Sequence, residues 1–212
     1  MVGKTALSDD LGLVYDNRKG PAEYMERYSR YITKLIKNLD YSAIEDIVSC
    51  FAEARKRSAT IFFAGNGGSA ATALHFAQDL AEVGRKSNTR GFNTLSLTSN
   101  VSFITALAND YGYDHIFTGQ MADVFKKGDV LVAISASGNS PNVVKAAQHA
   151  KEAGGVTVAL VGFDGGSLSG MCDRVLHIKT KQGEYGPVED IHMFLDHMIT
   201  SYLTMKLYKE KI

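Results

Sequence analysis

The chain has 212 residues, 45% of them hydrophobic and 22% charged, with a formal net charge of zero at pH 7. That length suits one compact domain with a sizeable core. Neutrality removes the global basic field expected of a protein that binds nucleic acid or an anionic membrane, and no apolar run is long enough to cross a bilayer.

Residues 1–20 are polar and mixed and read as an N-terminal arm. From Pro21 to about Leu39, Tyr24, Tyr28, Tyr31, Ile32, Leu35 and Ile36 recur at helical spacing. A second helix is expected from about Ser42, with Ile44, Ile47, Val48 and Phe51 on one face. These two form a helical extension over 21–58, within a single domain over 21–212. Short apolar runs then follow at 60–64, 93–97, 129–134, 156–161 and 174–178. They alternate with helical stretches near 69–84, 101–125, 140–153 and 188–209. Such alternation implies an α/β fold in three layers, with a parallel sheet covered on both faces. Ligands of such sheets bind at the carboxyl ends of the strands.

Two strand ends carry chemistry. The run Phe62-Phe63-Ala64 passes into Gly65-Asn66-Gly67-Gly68-Ser69, where a helix begins. Glycines there let the backbone approach a ligand, and the free N–H groups of the helix start suit an anion. Neither a Walker lysine nor the dinucleotide G-x-G-x-x-G spacing is present. The second strand end is Ser135-Ala136-Ser137-Gly138-Asn139-Ser140-Pro141-Asn142. Capping requires one serine; three serines at a helix start can surround a phosphate without a fixed cation. Asn109-Asp110 falls in the connection after the second strand, and Tyr111, Gly112 and Tyr113 continue it.

His75 and Asp79 lie four apart on the helix that the first loop opens, so they share one face. On the last helix, Glu189 and His197 share a broad face, and His192 and Asp196 compete with them. Two histidines and two carboxylates from two helices suit Zn²⁺, or a base with its orienting partner. His115, His149 and His177 have no pattern around them, and Asp190 reads as a first-turn helix charge. Cys50 and Cys172 have neither metal-type nor redox-type spacing and are expected as reduced thiols of a cytoplasmic protein. No leading apolar stretch resembles a signal peptide.

The segments GNGGSAATALHFAQDL (65–80) and ISASGNSPNVVKA (134–146), with AND (108–110) between them, resemble the sugar isomerase (SIS) domain. Within it the chain is most similar to the phosphoheptose isomerase branch, from about residue 21 onward. The resemblance implies a flavodoxin-like subunit with added N-terminal helices, assembled as a homotetramer. It implies interconversion of sedoheptulose 7-phosphate and a manno-heptose 7-phosphate through a cis-enediol. Substrate contacts would fall on Asn66, Gly67, Gly68, Asn109, Asp110, Ser135, Ala136, Ser137 and Ser140. Of these, Ser135, Ser137 and Ser140 would hold the phosphate, with Ser69 close by; Glu189 would also touch the substrate. The metal and acid–base positions would be His75, Asp79, Glu189 and His197, holding one Zn²⁺ per subunit and leaving His192 aside. Asp79, or Glu189 in its stead, would act as base and His197 as the opposing acid/base.

Two departures stand out. Asp79 occupies the place of a family Glu. Around the last helix, Gly186-Pro187-Val188-Glu189-Asp190-Ile191-His192 stands for the family's R-I-Q-E-x-H, with a carboxylate at Glu189 in place of an amide. They motivate a second reading, an isomerase of a related sugar phosphate. A third, from another class, is a non-catalytic SIS regulator similar to the factor that binds the bacterial replication initiator. That branch lacks the carboxylate that Asp79 supplies here.

Overall fold

The computed structural model describes residues 19–210. The arm expected over 1–20 therefore lies outside the described residues except for its last two. Helix α1 (Pro21–Lys37) starts with proline at its first position, with Glu23 in the first turn and Lys34 and Lys37 in the last, each matching the helix dipole. Helix α2 (Tyr41–Lys56) is capped by Asp40, whose carboxylate accepts from the backbone N–H groups of Ser42 and Ala43. Its Ile44, Ile47, Cys50, Phe51 and Ala54 are buried.

Strands β1 (Thr60–Gly65), β2 (Asn93–Ser96), β3 (Val130–Ser135), β4 (Val156–Val161) and β5 (Arg174–His177) form one sheet in the order β2-β1-β3-β4-β5. All its pairings are parallel. This is the flavodoxin-like order, whose direction of winding reverses between β1 and β3. The apolar runs of β1, β3 and β4 are buried along nearly their whole length, as strands covered on both faces must be. The period of two separates neighbours: Phe63 joins the core beneath α1, α2, α3 (Gly68–Lys86) and α8 (Tyr185–Lys209), and Phe62 joins the opposite core. Phe51, Phe63 and Phe76 pack edge-on and tilted with ring centroids 5.1 to 6.5 Å apart, tying α2 and α3 to the sheet.

The second core lies under α4 (Val101–Tyr111), α5 (Thr118–Met121), α6 (Pro141–Glu152) and α7 (Gly166–Met171). The stretch 101–125 is thus not one helix. Gly112 takes φ 91°, which ends α4, and a 3₁₀ turn at Tyr113–His115 follows. Asn109 and Asp110 accordingly sit in the last turn of α4 rather than in a loop. Helix α7 is only six residues, GSLSGM, with Leu168 and Met171 its apolar members, too short for a helical period to show in the sequence. Asp129 stands just before β3 and accepts from the N–H groups of Thr60 and Lys126, pinning the strand's entry. Cys50 and Cys172 are free thiols. Among the described residues no helix is long and apolar enough to cross a membrane.

Candidate active site

Both glycine/serine loops meet where the winding reverses. At the end of β1, Gly67 takes φ 54° and ψ −123°, which turns the chain into α3. Asn66 and Asn142 exchange two amide hydrogen bonds of 2.8 and 2.9 Å, locking the β1 loop to the start of α6. Tyr113 donates to the Asn66 side-chain oxygen at 3.0 Å. At the end of β3, the Ser135 hydroxyl oxygen lies 3.5 Å from that of Ser137 and 3.3 Å from that of Ser140, and it accepts from the Gly138 N–H. Gly138 takes φ 64°, and a methyl group there would meet the Gly165 carbonyl oxygen at 2.0 Å.

The result is a polar pocket of about 140 Å³ lined by Asn66, Ser69, Ile134, Ser135, Ala136, Ser137, Ser140, Tyr185 and Glu189. Two helix N-termini, of α3 and α6, frame these hydroxyls. Hydroxyls and helix-start amides so arranged are the groups that a phosphate-binding site needs. The Glu189 carboxylate leans over Gly68: a methyl group at Gly68 would stand 2.2 Å from Glu189 Oε2. Burial, reinforced by neighbouring Asp190, raises the Glu189 carboxyl above the usual carboxylate range.

A second group lies further along the α3–α8 contact. His75 and Asp79 from α3 meet Asp196 and His197 from α8, with one ligand atom from each lying within 4.8 Å of all the others. His75 Nδ1 is 2.7 Å from Asp196 Oδ2 and 4.0 Å from Asp79 Oδ2. The His75 and His197 rings stand edge to face at 5.1 Å. Asp196 is wholly buried and its Oδ1 has no hydrogen-bond partner among the described residues. Burial pushes its carboxyl upward, and the His75 hydrogen bond opposes this. Asp79 and His197 also line a groove with Lys86, Thr200, Ser201 and Thr204.

Most of the expected site residues converge. Asn66, Ser69, Ser135, Ala136, Ser137, Ser140 and Glu189 share the pocket; Gly68 lies against the Glu189 carboxylate, and Gly67 makes the turn before it. His75, Asp79 and His197 gather as expected, but Glu189 does not stand with them. Eight residues of helix separate it from His197 by about 12 Å along the axis, and Asp196 takes the fourth place instead. Asn109 and Asp110 are exposed, bond to each other at 2.8 Å and do not line the pocket. His192 is buried with both ring nitrogens unpartnered among the described residues, and burial drops its pKa to about 3. Sequence reasoning missed Tyr185 as a pocket wall and Asn142 as the Asn66 partner. The asparagine directly after Pro141 was the available signal for the latter.

Residues 23–162 match the SIS domain family. The phosphoheptose isomerase of Aliarcobacter butzleri is 36% identical over 177 residues, covering 83% of this chain and 91% of that protein. That of Aneurinibacillus thermoaerophilus is 36% identical, covering 79% and 83%. Among solved structures, the phosphoheptose isomerase of Neisseria gonorrhoeae superposes with a TM-score of 0.77 at 31% identity, over 86% of this chain and 95% of that one. The Francisella tularensis phosphoheptose isomerase, at 24% identity and TM-score 0.79, shares the fold. By sequence and by architecture, this chain belongs to the SIS domain family, in its phosphoheptose isomerase branch.

Proposed function

We propose that the chain is an aldose–ketose isomerase converting sedoheptulose 7-phosphate to D-glycero-D-manno-heptose 7-phosphate. One observation carries the reading: a carboxylate, Glu189, stands in the same pocket as Ser135, Ser137 and Ser140. A phosphate gripped by the serines fixes the sugar chain, and binding energy from that remote end orients the reacting carbons. A base removes a proton from C1 of the ketose while an acid protonates O2, giving a cis-enediol. Return of a proton to C2, with loss of the O1 proton, yields the aldose. Glu189 and Asp79 are the candidate bases, and His197 is the partner that exchanges hydroxyl protons.

The cluster beside the pocket suits a divalent ion, and Zn²⁺ in particular. Its donors are imidazole and carboxylate, and the buried Asp196 Oδ1 lacks a hydrogen-bond partner among the described residues. When bound, the ion would polarise a sugar oxygen and stabilise the negative charge that develops there.

A homotetramer and a cytoplasmic location complete the reading. Self-association is supported by apolar side chains that the single chain leaves open. Tyr24, Met25, Phe194, Tyr202 and Met205 are exposed, and a groove of about 680 Å³ runs between α1, α2 and α8. Light scattering at micromolar concentration checks this; a monomer would contradict it. The activity is tested with a panel of ketose phosphates and detection of the aldose product. Turnover of sedoheptulose 7-phosphate above shorter ketose phosphates is expected. Preference for a shorter sugar would redirect the substrate, and absence of turnover on all would overturn the enzyme reading.

A further inference from the structure

We propose that Tyr185 is a specificity-determining residue, whose ring holds the carbon chain of the sugar phosphate at the mouth of the serine pocket, and that Phe163 positions it there. The identity of the ligand rests on the isomerase reading. The roles of the two rings stand on the geometry of the pocket.

The first argument is size. The pocket of about 140 Å³ falls well short of the roughly 300 Å³ at which small-molecule sites begin. A phosphate on the serines therefore fills most of it, and the rest of a sugar chain must cross the rim. Tyr185 and Glu189 both line the pocket and lie four apart on α8, so ring and carboxylate share one face. The Tyr185 side is open, with 45% of the residue exposed. A chain that crosses the ring meets the carboxylate next.

The second argument is how the ring is held. Phe163 is buried, and the two rings stand edge to face with centroids 5.0 Å apart at 82°. Phe163 takes φ 50°, a conformation that a bulky residue avoids. Such strain persists only where the surroundings fix it. Here the Phe163 N–H donates to the Thr180 hydroxyl at 3.3 Å, and its carbonyl oxygen lies 2.9 Å from His177 Nε2. The chain on either side of Tyr185 is fixed as well. Glu184 is wholly buried, and its carboxylate accepts from the Lys181 N–H and the Tyr31 hydroxyl. A methyl group at Gly186 would stand 3.4 Å from the Tyr28 hydroxyl.

The third argument is that one loop braces both walls. The Asn139 side-chain oxygen accepts from the N–H and the hydroxyl of Ser167 at 2.8 and 2.9 Å. A methyl group at Gly166 would meet the Ser137 carbonyl oxygen at 2.4 Å. Residues 163–167 thus connect the serine loop to Tyr185 and set the width of the mouth. A fixed aromatic face of this kind packs against the C–H groups of a polyol chain. It adds affinity for a phosphorylated chain of several carbons and none for free phosphate.

Isothermal titration with two probes tests this. One is inorganic phosphate. The other is the pair of heptitol 7-phosphates that borohydride makes from sedoheptulose 7-phosphate, which carry no carbonyl and cannot be isomerised. Wild type is expected to bind the heptitol phosphates at least about tenfold more tightly than inorganic phosphate. Tyr185→Ala is expected to lose about tenfold on the heptitol phosphates and to stay within about threefold on inorganic phosphate. Tyr185→Phe keeps the ring and should stay within about threefold on both. Phe163→Leu should weaken the heptitol phosphates severalfold in wild type and have no further effect in the Tyr185→Ala background. A merely structural Phe163 would not show that coupling. Leucine keeps most of the buried volume; should the variant fail to fold by circular dichroism, Phe163→Met takes its place in the cycle. The role of Tyr185 is overturned by a wild type that binds both probes equally, by equal losses on both in Tyr185→Ala, or by a Tyr185→Phe protein as weak as Tyr185→Ala. The role of Phe163 is overturned by no loss in wild type, or by the same loss in the Tyr185→Ala background. Ketose phosphates turned over by Tyr185→Ala with wild-type KM would sink the Tyr185 assignment alone. Heptitol phosphates bound with the expected losses by a protein that turns over no ketose phosphate would sink the isomerase reading alone.

Discussion

Gly68 and Glu189 occupy complementary space: a β-carbon on the first would stand 2.2 to 2.5 Å from the carboxylate of the second. The contact joins the first residue of α3 to the second turn of α8. Alanine is a better helix former than glycine, so Gly68→Ala should leave stability within about 1 kcal/mol of wild type. The Glu189 side chain is flexible and would move instead. Displacing a reacting group by about an ångström can lower turnover roughly 10²-fold. Urea denaturation and steady-state kinetics on the same preparation check both halves. A variant with wild-type kcat would show that Glu189 has no part in the chemistry.

Much of this was legible in the chain. The five strands follow from apolar runs between glycine-rich turns, because parallel strands buried on both faces leave few polar positions. Both loops announced themselves through residue types that only a tight, ligand-facing turn needs. The fourth member of the His75, Asp79 and His197 group was not legible. Helical periodicity places Glu189, His192, Asp196 and His197 on overlapping faces of α8, and a spacing of eight cannot say which neighbours α3. The packing decides it. Val188, Ile191, His192, Leu195, Asp196 and Ile199 form the buried stripe, so Asp196 points at α3 while Glu189 lies at the stripe's edge, toward the serine loop. Nor could the pattern show that α4 stops at Gly112, because Asn109, Asp110 and Tyr111 fit a helix as well as a loop.

The serine loop should govern substrate binding rather than chemistry. Ser137 and Ser140 both place their hydroxyls within 3.5 Å of the Ser135 hydroxyl, so the three oxygens face a common point. Each hydrogen bond to a charged group is worth about 1.5 to 3 kcal/mol. A Ser137→Ala, Ser140→Ala double variant should therefore raise KM by at least about 10²-fold, with a smaller change in kcat. Isothermal titration with a ketose phosphate measures the same loss directly. Unchanged affinity would remove the phosphate from this loop.

The identity of the base is decided by an ordering. Glu189 lines the serine pocket, whereas Asp79 opens into the groove beside His197 and Lys86. Glu189→Gln should thus lower kcat more than Asp79→Asn, by a factor within the 10² to 10⁴ range usual for a general base. His197→Ala should fold normally, since its side chain is exposed, yet lose most turnover. The reverse order for the two carboxylates would return the base to Asp79.

His192 gives the fold a dependence on pH that is separable from catalysis. Burial holds its imidazole neutral, with a pKa near 3 against 6.5 in the unfolded chain. As pH falls below 6.5 the unfolded chain binds a proton that the native state refuses, so stability drops with acidification between about pH 6.5 and 3. From pH 7 to pH 5 the loss from this one group is roughly 2 kcal/mol. Leucine matches the buried site without polar atoms, and replacing two nitrogens that lack a partner among the described residues by apolar carbon is neutral or stabilising. His192→Leu should accordingly equal or exceed wild-type stability at pH 7 and show a flatter profile down to pH 5. Glu189 and Asp196, whose carboxyls burial raises, remain in both proteins, so the difference between the two profiles isolates His192. Urea midpoints at pH 7, 6 and 5 provide the measurement. Parallel profiles for the two proteins would mean that His192 takes up its proton inside the fold, in contact with a group that accepts it.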